Sequence, residues 1–423
     1  GTGKSLAYLY PGLLHARLAG GPLIVSTNTI NLQEQLLTKD LPLLASLCPE
    51  PPKVALLLGR GNYICRRRLE YALRQGTLDL SEKALRGLSR AVREGRGERN
   101  KMGLVVSEEI WRHLASDVEF CLRPHCPWSE DCFWLAARRA AAEAEIVLVN
   151  HHLLLADVAV RAHLGWEAEQ AVLPAYIRVF FDEAHHLEDI ATEHLSLRLG
   201  SAWLARLLDR LHLREGPGSQ GVLTVFQFGL RTSGGALPPE RAAEASDLST
   251  TAMAAVEQAK ARADLVFGSL LALAREGRQE GATWQRRYTQ DLREFDPALG
   301  PAAEDLLLTL QGLDNLLQKL LDAWEGENAE TPETEEGLAI RYLHAELAGF
   351  CGNLPTVLAG ESREHVYWLE ASRRRGGEEV EAIMAPLRVG PLFHSMLLAN
   401  LESAVFTSAT LTAGGDFGYL RER

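Results

Sequence analysis

The chain carries two halves of one phosphate-handling device, far apart in sequence. Gly1-Thr2-Gly3-Lys4-Ser5 reads as the last five positions of a G-x-x-x-x-G-K-[ST] loop. Val179-Phe180-Phe181-Asp182-Glu183-Ala184-His185 reads as a strand ending in paired carboxylates. Such a loop wraps phosphates in backbone N–H groups, so glycine stands where a Cβ would strike an oxygen. Lys4 would set a charge on the β/γ oxygens, and Ser5 would ligate Mg²⁺. Leu6 to Ala19 is apolar and helix-compatible, which places the phosphates at a helix N-terminus. A Gly-Lys-Ser tripeptide also arises by chance, and an Asp-Glu pair after a strand can be plain surface. Together, with the carboxylates at the C-terminal end of the apolar run Tyr176 to Phe181, they point to an NTP bound at the edge of a parallel sheet. Asp182 would hold Mg²⁺ through water, and Glu183 would orient and deprotonate the attacking water. Because the loop opens in its middle, we expect the chain to be a fragment, with the loop's first glycine and its feeding strand outside it.

A length of 423 residues suggests two or three domains. No run of about 18 apolar residues occurs, so no membrane span is expected. A net charge of −12 argues, taken whole, against nucleic acid, but its distribution argues otherwise. From Arg60 to Arg139 there are 16 Lys+Arg against 11 Asp+Glu. A basic excess concentrated in one segment matters more than the total, although a charge run is commonly a solvated face.

Four of the six cysteines fall in or beside that segment's loops: Cys65, then Cys121, Cys126 and Cys132 as C-x4-C-x5-C. Nothing indicates an oxidising compartment, so disulfides explain them poorly. Four thiolates suit zinc or an iron–sulfur cluster. Structural zinc favours tight C-x2-C knuckles, which are absent, and a cubane cluster accepts uneven spacing. His113 and His125 are alternative ligands, and simple packing of small thiols is the plain alternative. Cys48 and Cys351 read as packing residues.

Apolar runs at Leu23 to Ser26, Val54 to Leu58, Ile146 to Val149 and Tyr176 to Phe181 alternate with helical patterns, as in a parallel sheet. From about Glu188 to Ala348, Leu/Ala-rich helical segments dominate, broken by Glu215 to Ser219, Ser233-Gly234-Gly235 and the acidic stretch Glu325 to Glu336. Strand character returns at His365 to Leu369 and at Ser403 to Thr407.

The ordered set Gly-Thr-Gly-Lys-Ser, Ser26-Thr27-Asn28-Thr29 with Leu32-Gln33-Glu34-Gln35-Leu36, Gly59-Arg60-Gly61-Asn62-Tyr63-Ile64-Cys65, Asn150-His151, Asp182-Glu183-Ala184-His185 and Thr407-Ser408-Ala409-Thr410-Leu411 resembles the DinG branch of the XPD-like superfamily 2 helicases. The resemblance covers essentially the whole chain. It implies an α/β fold: a RecA-like P-loop parallel sheet (helicase domain 1) with an inserted iron–sulfur domain and an inserted helical arch. The expected boundaries are 1–60, 141–190 and 365–423 for the sheet domain, 61–140 for the iron–sulfur domain and 191–364 for the arch. It implies ATP-driven 5′→3′ movement on single-stranded DNA, with 5′-tailed duplex as substrate, in a cytoplasmic monomer.

Residue by residue, the resemblance puts Gly1, Thr2, Gly3, Lys4 and Ser5 on ATP and Mg²⁺, Asp182 and Glu183 on Mg²⁺ and water, and His185 on coupling to DNA. Ser408 and Thr410 would relay nucleotide state. Cys65, Cys121, Cys126 and Cys132 would hold a [4Fe–4S] cluster. Thr27, Asn28 and Gln33 would lie near the DNA backbone, though Thr27-Asn28-Thr29 reads equally as a helix cap, as does Asn150. Arg66, Arg67 and Arg68 follow a cluster ligand and would line the strand's path. We expect the family's second RecA-like domain, which supplies arginine fingers, to be missing from this chain, so that the chain alone would hydrolyse little ATP. Two other readings stand beside the motor: a non-catalytic iron–sulfur binding or redox-sensing module, and the helicase-like part of a fused nuclease.

Overall fold

The computed structural model describes residues 3–75, 82–117, 121, 126–166, 168, 171–215, 218–232, 238–325, 335–374, 377–412 and 416–418. Gly1, Thr2, His125 and most of the acidic stretch (326–334) lie outside them. The strands are β1 (Leu23–Thr27), β2 (Val54–Leu56), β3 (Ile146–Asn150), β4 (Arg178–Asp182), β5 (Leu197–Gly200), β6 (Leu213–Glu215), β7 (Gly218–Gln220), β8 (Arg278–Glu280), β9 (Thr283–Tyr288), β10 (His365–Arg374), β11 (Gly377–Pro386) and β12 (Ser403–Thr407). The chain divides into two compact units, one of residues 1–118, 126–195 and 388–423, the other of 119–125 and 196–387.

The first unit is a parallel α/β sheet in the order β12-β4-β1-β3-β2. β1 and β4 are buried along their whole length, as a parallel sheet covered on both faces requires. Phe180 packs on one face with Tyr8, Leu9, Leu13, Leu36 and Leu44. Phe181 faces the other way, among Trp134, Val149, Leu154 and Phe406. The helix Lys4–Ala19 lies close to the sheet because Gly12 has no Cβ. One built there would stand 2.7 Å from both Leu23 Cδ2 and Phe180 Cε2. Residues between Ile64 and Ala115 have a small core of their own, built on Leu69, Leu88, Trp111 and Leu114.

Register decides what meets at the sheet's carboxyl edge. Thr27 lies opposite Asn150, Ser26 opposite Phe181, and Thr407 opposite Asp182. The motif residues, as far apart in sequence as Ser26 and Thr407, therefore end on one line.

The second unit is built on three long helices, Pro239–Arg275, Leu299–Glu325 and Glu335–Ala359, around a single apolar core. It also contains an antiparallel sheet in the order β5-β11-β10-β9-β8. This corrects the expected return to the parallel sheet at His365. β10 pairs in antiparallel fashion with β9 and β11, and the first unit resumes only at Arg388. The pattern of burial gives the reason. Tyr367, Leu369 and Ala371 are buried while Trp368 and Glu370 are half-exposed, an alternation typical of a one-sided antiparallel sheet. The insertion is thus mixed rather than purely helical.

Candidate nucleotide-binding site

The helix Lys4–Ala19 starts from Gly3, whose φ of 74° lies in the left-handed region that glycine enters without a Cβ clash. This turn brings Lys4 over the carboxyl edge of β4. Its ammonium stands 2.8 Å from Asp182 Oδ1 and 2.7 Å from Glu183 Oε1. Burial pulls the Lys4 pKa down, but hydrogen bonds and charge from both carboxylates outweigh it, and the net shift is upward. Asp182 is also held by Thr407, whose hydroxyl donates to Oδ1 across 2.9 Å.

Glu183 is the single non-glycine residue with positive φ among the described residues (φ 55°). A side chain in this conformation costs roughly 1–2 kcal/mol, and such strain gathers at functional sites. Here it turns the chain sharply out of β4 into the short turn Ala184–His186. That turn brings His185 Nδ1 to 2.7 Å from Ser408 Oγ and 3.4 Å from Glu183 Oε2. The amide of Thr410 donates to Ser408 Oγ at 3.3 Å. Lys4, Asp182, Glu183, His185 and Ser408 thus form one continuous polar chain. Thr407, the last residue of β12, completes it through register alone.

The hard oxygens of Asp182 and Glu183 suit a Mg²⁺ ion. The ammonium of Lys4 stands in for a cation between them, so the donor set fits the metal that the loop implies. Ser5, at the second position of the helix, is half-buried.

The neighbouring strand ends are more closed than expected. Thr27 and Gln33 are fully buried, so in this conformation neither offers a surface to a DNA strand; Asn28 is half-buried. Thr29 caps the following helix by accepting from the Leu32 amide, and Asn150 caps its helix by accepting from Leu153. The cap reading of both motifs therefore describes their local geometry. Behind them, His151 Nδ1 lies 2.7 Å from Ser26 Oγ in full burial.

Around the cysteines, the Cys65 amide donates to Leu114 O at 2.8 Å. Burial pushes the Cys65 thiol up, while the Arg68 amide and the charges of Arg67 and Arg68 favour the thiolate. Arg68 donates to the carbonyls of Ala115 and Arg112, and Arg66 stacks over Phe133 with 4.8 Å to the ring centroid. These two arginines are therefore partly used in holding the segment together. Cys126 O accepts from the Ser129 amide, and Cys132 precedes the helix Phe133–Ala142. Among the described residues no three Cys, His, Asp or Glu converge as a metal-binding group. Cys121 falls in the other compact unit. The four thiols have the chemistry of cluster ligands.

Comparison with known proteins follows the same lines. The DEAD_2 family model matches residues 108–204. The chain is 28% identical over 430 residues to "ATP-dependent DNA helicase YoaA" of Haemophilus influenzae, covering all of this chain and 57% of that protein. It is 27% identical over 444 residues to "3'-5' exonuclease DinG" of Bacillus subtilis, covering all of this chain and 44% of that protein. Half of the chain, 235 aligned residues, is 35% identical to "ATP-dependent helicase DinG" of Mycobacterium tuberculosis, covering 34% of that protein. The chain thus spans about half the length of the curated relatives it matches. Among the described residues no helix is long and apolar enough to cross a membrane. With its motifs in order on one sheet edge and relatives of this kind along its length, the chain is similar to the DinG- and YoaA-type ATP-dependent helicases.

Proposed function

We propose that this chain is the ATP-binding motor segment of a DNA helicase that moves 5′→3′ on single-stranded DNA and opens 5′-tailed duplex. The observation that carries this is the Lys4 bridge to Asp182 and Glu183 at the carboxyl edge of a parallel sheet. In this reading Lys4 exchanges its carboxylates for the β/γ oxygens when nucleotide binds. Ser5 and Asp182 would hold Mg²⁺, which supplies positive charge to the phosphates when bound. Glu183 takes the proton of the attacking water, and His185 with Ser408 passes the resulting change toward the DNA side. Motors of this class draw a further cationic group from a second domain. We therefore infer that this chain alone turns over little ATP and gains activity when joined to the remaining length its relatives carry.

In that longer protein, Glu183→Gln should lower DNA-stimulated hydrolysis by about 10²–10⁴-fold, the usual worth of a general base, while ATP binding persists. Lys4→Ala should weaken binding itself. Hydrolysis unchanged by Glu183→Gln would remove Glu183 from the reaction. Unwinding of 3′-tailed in preference to 5′-tailed duplex would overturn the polarity.

The same reading gives Cys65, Cys121, Cys126 and Cys132 a [4Fe–4S] cluster. It is supported by four thiols gathered in one segment and by the basic balance of that segment. A second reading has one specific support: the Bacillus relative is named an exonuclease. In that case this chain would be the helicase-like part of a nuclease, and degradation of single strands by the longer protein would favour it.

A further inference from the structure

Tyr8 lies one helical turn beyond Lys4, on the same face of the helix Lys4–Ala19. Its ring meets Phe180 edge-on at 5.7 Å between centroids. Phe180 and Asp182 are two apart on β4 and so share a face. Long side chains on a helix lean back toward its N-terminus, so the Tyr8 hydroxyl is directed toward the turn that carries Lys4 and toward Asp182. The residue is 5% exposed, and its hydroxyl lies beside Ser5 and the Asp182 carboxylate without closing a well-formed hydrogen bond to any described residue. Burial first, and then the nearby Asp182 carboxylate, drive the phenol far above its usual ionisation range, with Asp40 adding to the effect and Ser5 opposing it. Asp40, which closes the π-turn Leu36–Asp40, also has a buried carboxylate oxygen without a partner.

A buried hydroxyl left unpaired is costly, and one beside a carboxylate usually pairs with it. Asp182 already has two partners, Lys4 and Thr407. The arrangement makes sense if one of them leaves. We propose that Tyr8 is a positioning residue that takes over Asp182 when Lys4 moves to the phosphates. Its hydroxyl then donates to the Asp182 carboxylate and holds it in the orientation that Mg²⁺ requires. The inference rests on the nucleotide reading given above.

Groups that orient a metal's carboxylate ligand from behind commonly change metal affinity by about tenfold or more. The test is binding, which needs no turnover, in the same longer protein used above. A fluorescent ATP analogue is titrated into wild type and Tyr8→Phe, in EDTA and across a Mg²⁺ series. We expect unchanged affinity in EDTA and about a tenfold higher Mg²⁺ concentration for half-maximal tight binding in Tyr8→Phe. Thermal stability should be equal or higher, since an unpaired buried hydroxyl is gone. Tyr8→Leu, which also loses the ring contact with Phe180, should show the same Mg²⁺ defect with a lower melting temperature. Equal Mg²⁺ dependence in wild type and Tyr8→Phe overturns the proposal, as does a Tyr8→Phe defect that is present in EDTA too. Wild type that binds no nucleotide in any condition overturns the nucleotide reading, and this proposal with it.

Discussion

His151 shows how much of the site's chemistry is set one shell behind the motif. It is fully buried, with its Nδ1 at 2.7 Å from Ser26 Oγ. Burial pushes its pKa down to about 4, with the Asp182 backbone resisting and His186 and His152 adding to the fall. An unfolded histidine titrates near 6.5. Between these values the unfolded chain holds a proton that the folded chain refuses. Stability from this residue is therefore intact above about pH 6.5 and declines on acidification, by about 3 kcal/mol in all once pH is near 4. Urea midpoints at pH 7.5 and pH 5 should differ more for wild type than for His151→Asn, and equal differences would refute the assignment. His194 and His212, also lowered by burial, contribute in the same direction and remain in both proteins. At this scale the sequence disclosed Lys4, Asp182, Glu183, His185 and Ser408, because each sits in a local pattern with its own chemistry. Thr407 as a partner of Asp182 and Tyr8 beneath Lys4 were not disclosed. Their roles depend on which strands become neighbours, and nothing in their local sequence encodes that.

Among the elements, the contact of the Lys4–Ala19 helix with β1 and β4 is the tightest joint near the site. Gly12→Ala should cost about 1–3 kcal/mol, the range for overpacking a filled core, because the new methyl meets Leu23 and Phe180 at 2.7 Å. A melting temperature at or above wild type would mean that the helix moves outward freely. β1, β3, β4 and β12 were legible as apolar runs, with ends within about two residues. β10 was legible as a strand but not as a member of the right sheet. An alternation of buried and half-exposed residues distinguishes the two sheets, and Tyr367, Trp368 and Leu369 are all apolar, which hides the alternation from a reading of hydrophobicity alone.

For the molecule as a whole, the net charge of −12 conceals a basic segment that also contains all four candidate cluster ligands. Protein purified without oxygen should be brown and carry iron, and Cys65→Ser should lose it. Cys48→Ser and Cys351→Ser should leave the iron content unchanged, since Cys351 is buried in the apolar core of the second unit and Cys48 packs beside Leu44 and Val54. Stoichiometric zinc in place of iron would replace the cluster with a different metal.

The hydrogen bond between Thr407 and Asp182 joins residues 225 positions apart. During synthesis β4 is complete long before β12 exists, and until then its outer edge is an open row of peptide groups. Most of the intervening chain forms a compact unit with a core of its own. Once that unit has folded, the loop to be closed is short in effect, and the entropic cost of seating the last strand falls with it. The insertion thus serves as a splint as well as a domain. The carboxylate that the nucleotide needs gains its Thr407 partner only after the whole second unit has been made.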